Sequence, residues 1–353
     1  MGTIKPSTTA SPTTYLPTTS ISATFPQYMN RGYIQSWNFF LQHEFSPTLS
    51  AEAGYVGTHG VHMMMGVNIN GSAPGTGNTG RQLYPYSTSD INMYEPFGNM
   101  TYHGLQTSVK KRIGAGLIGL SYTFSKTINN VNGDNGDGTL FRAYPMSYGL
   151  DKAVAGFDRT HVLQVYHVYQ LPFGKGHSLF NHGAAAWILG GFQISGTLSR
   201  YSGLPFTISA SSASLNAAGQ SQTADQINAQ VKILGGHDPN TPYFDGTAFA
   251  PITTARLGST GRNILFGPGV FTMSQSISRT FTFKEKVKLE FLGEAFNLTN
   301  HPNFSNPGGT FAAPTMNPDG SVKSYGNYSV ISSVLTTQGV GPRQLQVGAY
   351  IRF

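Results

Sequence analysis

The sequence predicts an all-β chain, a portion of an antiparallel transmembrane β-barrel of about nine strands, with long loops at one rim and short turns at the other. Three observations predict it. Charged residues are 10% of the 353 residues, against about 25% in ordinary soluble domains. Apolar and polar residues alternate with period two in segments of about 9 to 14 residues, the pattern of strands with one face in lipid. The connections between these segments alternate strictly in length along the chain.

The composition fits this class. Gly (43), Tyr (18) and Phe (23) are abundant, and the formal charge of +7 is scattered singly. A soluble surface needs charge to stay dispersed, whereas a barrel needs an apolar exterior and a lumen served by Ser, Thr, Asn and Gln. The densest basic cluster, Lys110-Lys111-Arg112, runs straight into the turn Ile113-Gly114-Ala115-Gly116. No continuous basic stripe exists, so nucleic acid is not an expected partner. There is no cysteine, which fits passage through an oxidising periplasm without disulfides. No apolar run reaches the roughly 18 residues of a helical membrane span.

The first segment, Met1 to Arg31, is rich in Ser, Thr and Pro and reads as an extracellular loop remnant. Its Met1–Tyr15 part has neither a basic n-region nor an apolar h-region, so it is not a secretory signal. The barrel portion then runs over residues 32–353. In the first strand Tyr33, Trp37, Phe39, Leu41 and Phe45 oppose Asn38, Gln42 and Glu44. The turn Ser46-Pro47-Thr48 leads into Leu49, Ala51, Ala53 and Tyr55. A hairpin joins Tyr102–Arg112, with Leu105 and Val109 outward, to Leu117–Lys126, with Ile118, Leu120, Tyr122 and Phe124 outward. His161–Leu171 and Ile188–Tyr201 follow, the second loosened by Gly190, Gly191 and Gly196.

The next strand places Phe271, Met273, Ile277, Phe281 and Phe283 on one face. After the turn Lys284-Glu285, Val287, Leu289, Phe291, Gly293 and Ala295 alternate with Lys286, Lys288, Glu290, Leu292 and Glu294. Slipping this strand by one residue would put four charges into lipid, so its register is well specified. The last strand, Gln344–Phe353, alternates Leu345, Val347, Ala349, Ile351 and Phe353 with Gln344, Gln346, Gly348, Tyr350 and Arg352. Its closing residues, Tyr350, Ile351 and the terminal aromatic Phe353 together, resemble the signal read by the barrel assembly machinery.

Short connections fall at 46–48, 113–116, 172–187 and 284–285, and long ones at about 58–101, 127–158, 202–268 and 299–342. Two rims in different environments account for this, short turns being periplasmic and long loops extracellular. Nine strands leave the two ends on opposite sides of the membrane. Single-chain bacterial barrels have even strand numbers and cannot leave open edges in lipid, so the expectation is a piece of a larger barrel.

Several stretches resemble the Oar-like branch of TonB-dependent receptors. They are Gly54-Tyr55-Val56-Gly57-Thr58-His59-Gly60, Ser121-Tyr122-Thr123-Phe124-Ser125-Lys126, Asp158-Arg159-Thr160-His161, Leu171-Pro172-Phe173-Gly174-Lys175-Gly176 and Tyr201-Ser202-Gly203-Leu204-Pro205-Phe206. The most specific is Glu294-Ala295-Phe296-Asn297-Leu298-Thr299-Asn300-His301-Pro302-Asn303-Phe304. The resemblance implies a C-terminal barrel part whose plug, TonB contact and first strands lie outside these residues, and it implies transport of something large across the outer membrane. The expected partners are outer-membrane lipid, the assembly machinery, TonB through the plug, and an unidentified substrate.

No catalytic, cofactor-binding or metal site is expected. Residues 130–138 place oxygen ligands at alternate positions, as calcium requires, but lack the central Gly and the bidentate Glu. They read as a polar loop with tight Gly turns. His59 and His62, and His161 and His167, are explained by loop and girdle positions, since a metal needs several converging ligands. No nucleophile elbow accompanies the scattered Ser, His and Asp. Tyr33, Tyr55, Tyr122, Phe124, Tyr169, Phe173, Tyr201, Phe283 and Tyr350 suit an interfacial aromatic girdle. The inward charges Glu44, Lys110, Lys286, Lys288, Glu290, Glu294 and Arg352 are the candidate lumen lining, where they would contact a plug or set ion preference. The alternatives to a transporter are a barrel that displays loops for adhesion, a soluble β-rich binding module, and a truncated, non-functional receptor fragment.

Overall fold

A computed structural model describes residues 20–130, 142–143, 145–146, 148–174, 176–177, 179–283, 287–320, 322–337 and 339–353. Nine long strands form one antiparallel meander. They are β1 (Tyr33–Ser46), β2 (Leu49–Asn68), β3 (Ile91–Ile113), β4 (Gly116–Asn129), β5 (His161–Gln170), β6 (Phe192–Tyr201), β7 (Val270–Phe283), β8 (Val287–Phe296) and β9 (Gln344–Arg352). Each pairs with its sequence neighbour, and β1 and β9 are the two edges of the path. The sheet does not close: among the described residues β1 and β9 do not pair with each other.

Alternation sets the faces, and the pairings keep them consistent from strand to strand. Ala51 faces Val109, Val109 faces Leu120, Leu120 faces Val165, Val165 faces Leu198, and Leu198 faces Met273. At the other side of the sheet Leu289 faces Ile351 and Gly293 faces Val347. These apolar side chains do not gather into a protein core. Phe39 is 65% exposed and Val347 89% exposed. A water-soluble protein does not expose an apolar surface of this extent; hydrocarbon is the solvent that suits it.

Strands β5, β6, β8 and β9 have 9 or 10 residues, the length that crosses a bilayer when tilted. Strands β2 and β3 have 20 and 23, so both project well beyond the membrane at the long-loop end. The connection expected over 58–101 is therefore largely strand, with its loop confined to 69–90. A short parallel strand, Ile21–Thr24, pairs with the start of β3.

The larger buried apolar cluster lies in the loops, and a smaller one around Met65 and Val67 lies in β2. Phe206, Ile208, Phe244, Phe249, Leu265, Tyr328 and Ile331 pack into one cluster, drawn from the 202–269 and 297–343 connections. Phe244 meets Phe249 and Tyr328 edge-on, with centroids 6.1 and 5.6 Å away. These long loops form a packed cap.

The strand expected after the 172–187 connection also needs correction. The strand expected from Ile188 starts at Phe192, because Gly183–Leu189 is a helix, α1, that ends at Gly190. Gly191, at φ 77, then turns the chain into β6. A positive φ there suits glycine and few other residues.

Candidate functional site

The face opposite the apolar one is a polar wall. Glu52, Ser108, Ser121, Gln164, Ser199 and Thr272 lie side by side across six strands. Glycine opens room on this wall for aromatic rings lying flat on it. A Cβ at Gly119 would fall 2.2 Å from the Tyr166 ring, and one at Gly54 would fall 2.1 Å from Phe40.

The charges expected to line a lumen all share this face where they are described, but in two separate groups. Glu44 faces Ser50, which faces Lys110, on β1 to β3. Far across the sheet, Lys288 faces Arg352, Glu290 faces Tyr350, and Glu294 faces Gln346. Arg352 Nη2 lies 3.1 Å from Glu290 Oε2, a diagonal ion pair that offsets the like charges of Lys288 and Arg352. Lys286 lies outside the described residues. Glu52 belongs to the same face and escaped the sequence reading, although its place between Ala51 and Ala53 was the signal.

The aromatic assignments divide. Tyr55, Tyr122, Phe124 and Tyr169 are on the apolar face, whereas Tyr201 and Tyr350 are on the polar one. Tyr201 faces Val162, and its hydroxyl accepts from Gln164 Nε2 at 3.0 Å. Neither of these two tyrosines can belong to a lipid girdle, because alternation turns them the other way. Of the closing residues, Tyr350 is on the polar face, Ile351 on the apolar face, and Phe353 is fully exposed.

The histidines engage neighbours singly. His161 Nδ1 lies 2.8 Å from the Tyr122 hydroxyl, His103 Nδ1 2.6 Å from that of Tyr55, and His59 Nδ1 3.0 Å from Thr101 Oγ1. Among the described residues no three potential ligands converge on a metal position. The calcium-like stretch, Asn130 apart, lies outside the described residues.

Two of the sequence motifs prove to be joints between wall and cap. Asp158 Oδ1 accepts the Thr127 N–H at 2.6 Å, and the Arg159 guanidinium donates to the Ser202 carbonyl. Asn297, in the left-handed region at φ 48 and fully buried, donates to the carbonyls of His301 and Gly341 at 2.9 and 2.8 Å. Asn303 accepts the Phe271 N–H and donates to Val340 O, both at 2.8 Å. A left-handed asparagine whose side chain serves nearby backbone is a turn device.

A third joint is charged. Arg262 Nη2 donates to Asn129 Oδ1 at 2.9 Å, Arg262 Nε donates to the Asp151 carbonyl at 3.1 Å, and Arg142 Nη1 pairs with Asp151 Oδ1 at 2.8 Å. Burial pushes the Asp151 carboxyl above the usual carboxylate range, and the hydrogen bonds and charge of Arg142 oppose it. Beside this joint opens a cavity of about 600 Å³, lined by His59, His62, Asn99, Asn129, Tyr148 and Lys152 among others.

The structure thus sets a polar sheet face beside a packed cap of loops. A family profile described as an outer membrane beta barrel domain matches residues 2–346. No curated protein matches the sequence. The outer membrane transporter YddB from Escherichia coli superposes at 11% identity over 94% of this chain and 34% of its own, with a TM-score of 0.50. The FrpB iron transporter from Neisseria meningitidis (F3-3 variant) superposes at 9% identity over 93% of this chain and 33% of its own, with a TM-score of 0.41. The chain thus spans about a third of the length of the transporters it matches. On the profile match, the chain belongs to the outer membrane beta barrel domain family and resides in the outer membrane.

Proposed function

We propose that these nine strands are an arc of the wall of a TonB-dependent transport barrel, non-catalytic, with the polar face turned to the lumen and the cap outside the cell. The observation that carries this is the separation of faces: six polar side chains abreast on one side, and unpartnered Leu, Val and Ile on the other. The unpaired edges of β1 and β9 support an arc of a larger barrel, since unpaired backbone in lipid costs several kcal/mol per group. Glu44, Glu52, Lys110, Lys288, Glu290, Glu294, Arg352 and Lys286 would line the passage, and TonB would act through a plug. Tyr350, Ile351 and Phe353 would be the assembly signal.

Cysteine accessibility tests this, because the chain has no cysteine of its own and any cysteine elsewhere in the protein is first replaced by Ser. In the protein as it occurs in outer membranes, Gln164→Cys should react with a small hydrophilic thiol reagent and Val165→Cys should not. Equal labelling at both positions, or labelling of position 165 alone, refutes the lumen assignment. The packed loop core also favours a second reading, in which the barrel displays its cap for adhesion. Loss of cell attachment on deleting the cap, without any change in entry of large hydrophilic antibiotics, would support it.

A further inference from the structure

The connection from β5 to β6 lies at the short-turn end, where a tight turn would suffice, yet it carries a helix. In α1, GAAAWIL, Trp187 is 70% exposed and Ile188 54% exposed. Leu179 and Phe180, just before it, are also exposed. Residues 171–191 contain no Asp or Glu and include Lys175, His177 and His182. An exposed Trp on a short apolar helix with basic neighbours is the composition of a segment lying in a lipid headgroup layer.

The helix is held in one place. Its last carbonyls have no partner within the helix, and Arg279 of β7 supplies one: its guanidinium donates to the Ile188 carbonyl at 2.5 Å and to that of Trp187. Arg279 stands on the apolar face, where it faces Phe192 and Phe291. Its guanidinium carbon lies 4.1 Å from the Phe281 centroid, 5.2 Å from Phe192 and 5.8 Å from Trp187. Aromatic faces and carbonyl oxygens are what a cation needs on a lipid-facing surface. The Trp187 ring lies 6.0 Å from Phe281, which lies 6.0 Å from Phe291, so the exposed face of the helix continues the lipid-facing belt.

We infer that Leu179, Phe180 and α1 form a membrane-surface foot, with Trp187 and Ile188 seated in the headgroup layer of the phospholipid leaflet and Arg279 as the clamp. This rests on the apolar face of the sheet meeting lipid, and the test separates the two claims. The chain has two tryptophans, Trp37 and Trp187, and Trp37 is on the apolar face of β1, opposite Gly57. Variants Trp37→Phe and Trp187→Phe, made in the full protein after any tryptophan outside these 353 residues has been replaced by Phe, would be inserted into phosphatidylcholine vesicles brominated either high or low on the acyl chain. Trp187 should emit to the blue of its position in water and be quenched most by bromine high on the chain. Quenching of Trp37 without quenching of Trp187 overturns the foot and leaves the barrel standing. Quenching of neither overturns both. A blue-shifted Trp187 insensitive to brominated lipid means a protein partner covers the helix, and the lipid assignment fails. If Trp37→Phe does not fold, the difference between the wild-type and Trp187→Phe emission gives the same signal.

Discussion

The hydroxyl of Tyr122 on β4 and Nδ1 of His161 on β5 lie 2.8 Å apart, and the hydroxyl of Tyr55 on β2 makes the same diagonal approach to His103 on β3, at 2.6 Å. In both pairs the rings stack, with centroids 6.2 and 6.1 Å apart. The repetition gives each tyrosine ring a hydrogen-bonded polar tip on the apolar face, as an aromatic at a membrane interface would require.

The Tyr122–His161 pair should therefore be energetically coupled. A double-mutant cycle with Tyr122→Phe and His161→Phe, read by urea unfolding in vesicles, should give a coupling of about 0.5–1.5 kcal/mol. Additive single effects would show that the contact carries no energy.

Depth decides what a charge costs on the apolar face. Val165 is at the centre of β5, between Leu120 and Leu198, and Val165→Arg should cost about 2–4 kcal/mol. Leu289 has the same orientation but stands near the start of β8, facing Ile351 close to the chain terminus. Leu289→Arg should cost only about 0–1 kcal/mol, as near an interface. Comparable losses at both positions in vesicle unfolding would show that the sheet sits differently in the bilayer.

That contrast marks what the sequence can convey. Alternation alone placed Leu289 and Glu290 on opposite faces, and it placed Glu44, Lys110, Lys288, Glu294 and Arg352 on one wall, because strand pairing preserves side from neighbour to neighbour. Depth and proximity are not encoded in alternation. Glu44 and Lys288 therefore read as one set although the sheet holds them far apart. The upper parts of β2 and β3 were hidden by irregular pairing between Gly60 and Met65, with His62 in the left-handed region, and by the run Met63-Met64-Met65, which is apolar on both sides. Helix α1 was hidden because Ala184, Ala185 and Ala186 give its seven residues no apolar contrast. The cap was hidden because Phe206, Phe244 and Tyr328 meet only in three dimensions.

The cap should fail separately from the wall. Phe244 is completely buried among aromatic rings, and Phe244→Ala should destabilise the cap by about 3–5 kcal/mol. Limited proteolysis should then cut within 205–266 while heat-modifiable gel mobility, which reports the barrel, stays unchanged. Loss of both together would make cap and wall one cooperative unit.

Acid should loosen one specific seam of the cap. Asp225 receives both terminal nitrogens of Arg256, at 3.0 and 2.5 Å, and the Ser259 N–H at 2.9 Å. The Arg256 hydrogen bond, then the Ser259 N–H and the Arg256 charge, hold its carboxyl below the ordinary value of 3.8 despite partial burial. A depressed folded-state pKa means that the unfolded chain binds the proton more readily. The contribution is thus complete above pH 3.8 and disappears as pH falls through the lowered value. Arg256 is largely solvent-exposed, so solvent screening keeps the contribution small. Asp225→Asn should speed cleavage of the cap near neutrality, and the gap from wild type should close in strong acid, as followed with an acid-active protease. A gap that persists unchanged in acid would show that the carboxylate charge is not what holds residues 225 and 256 together.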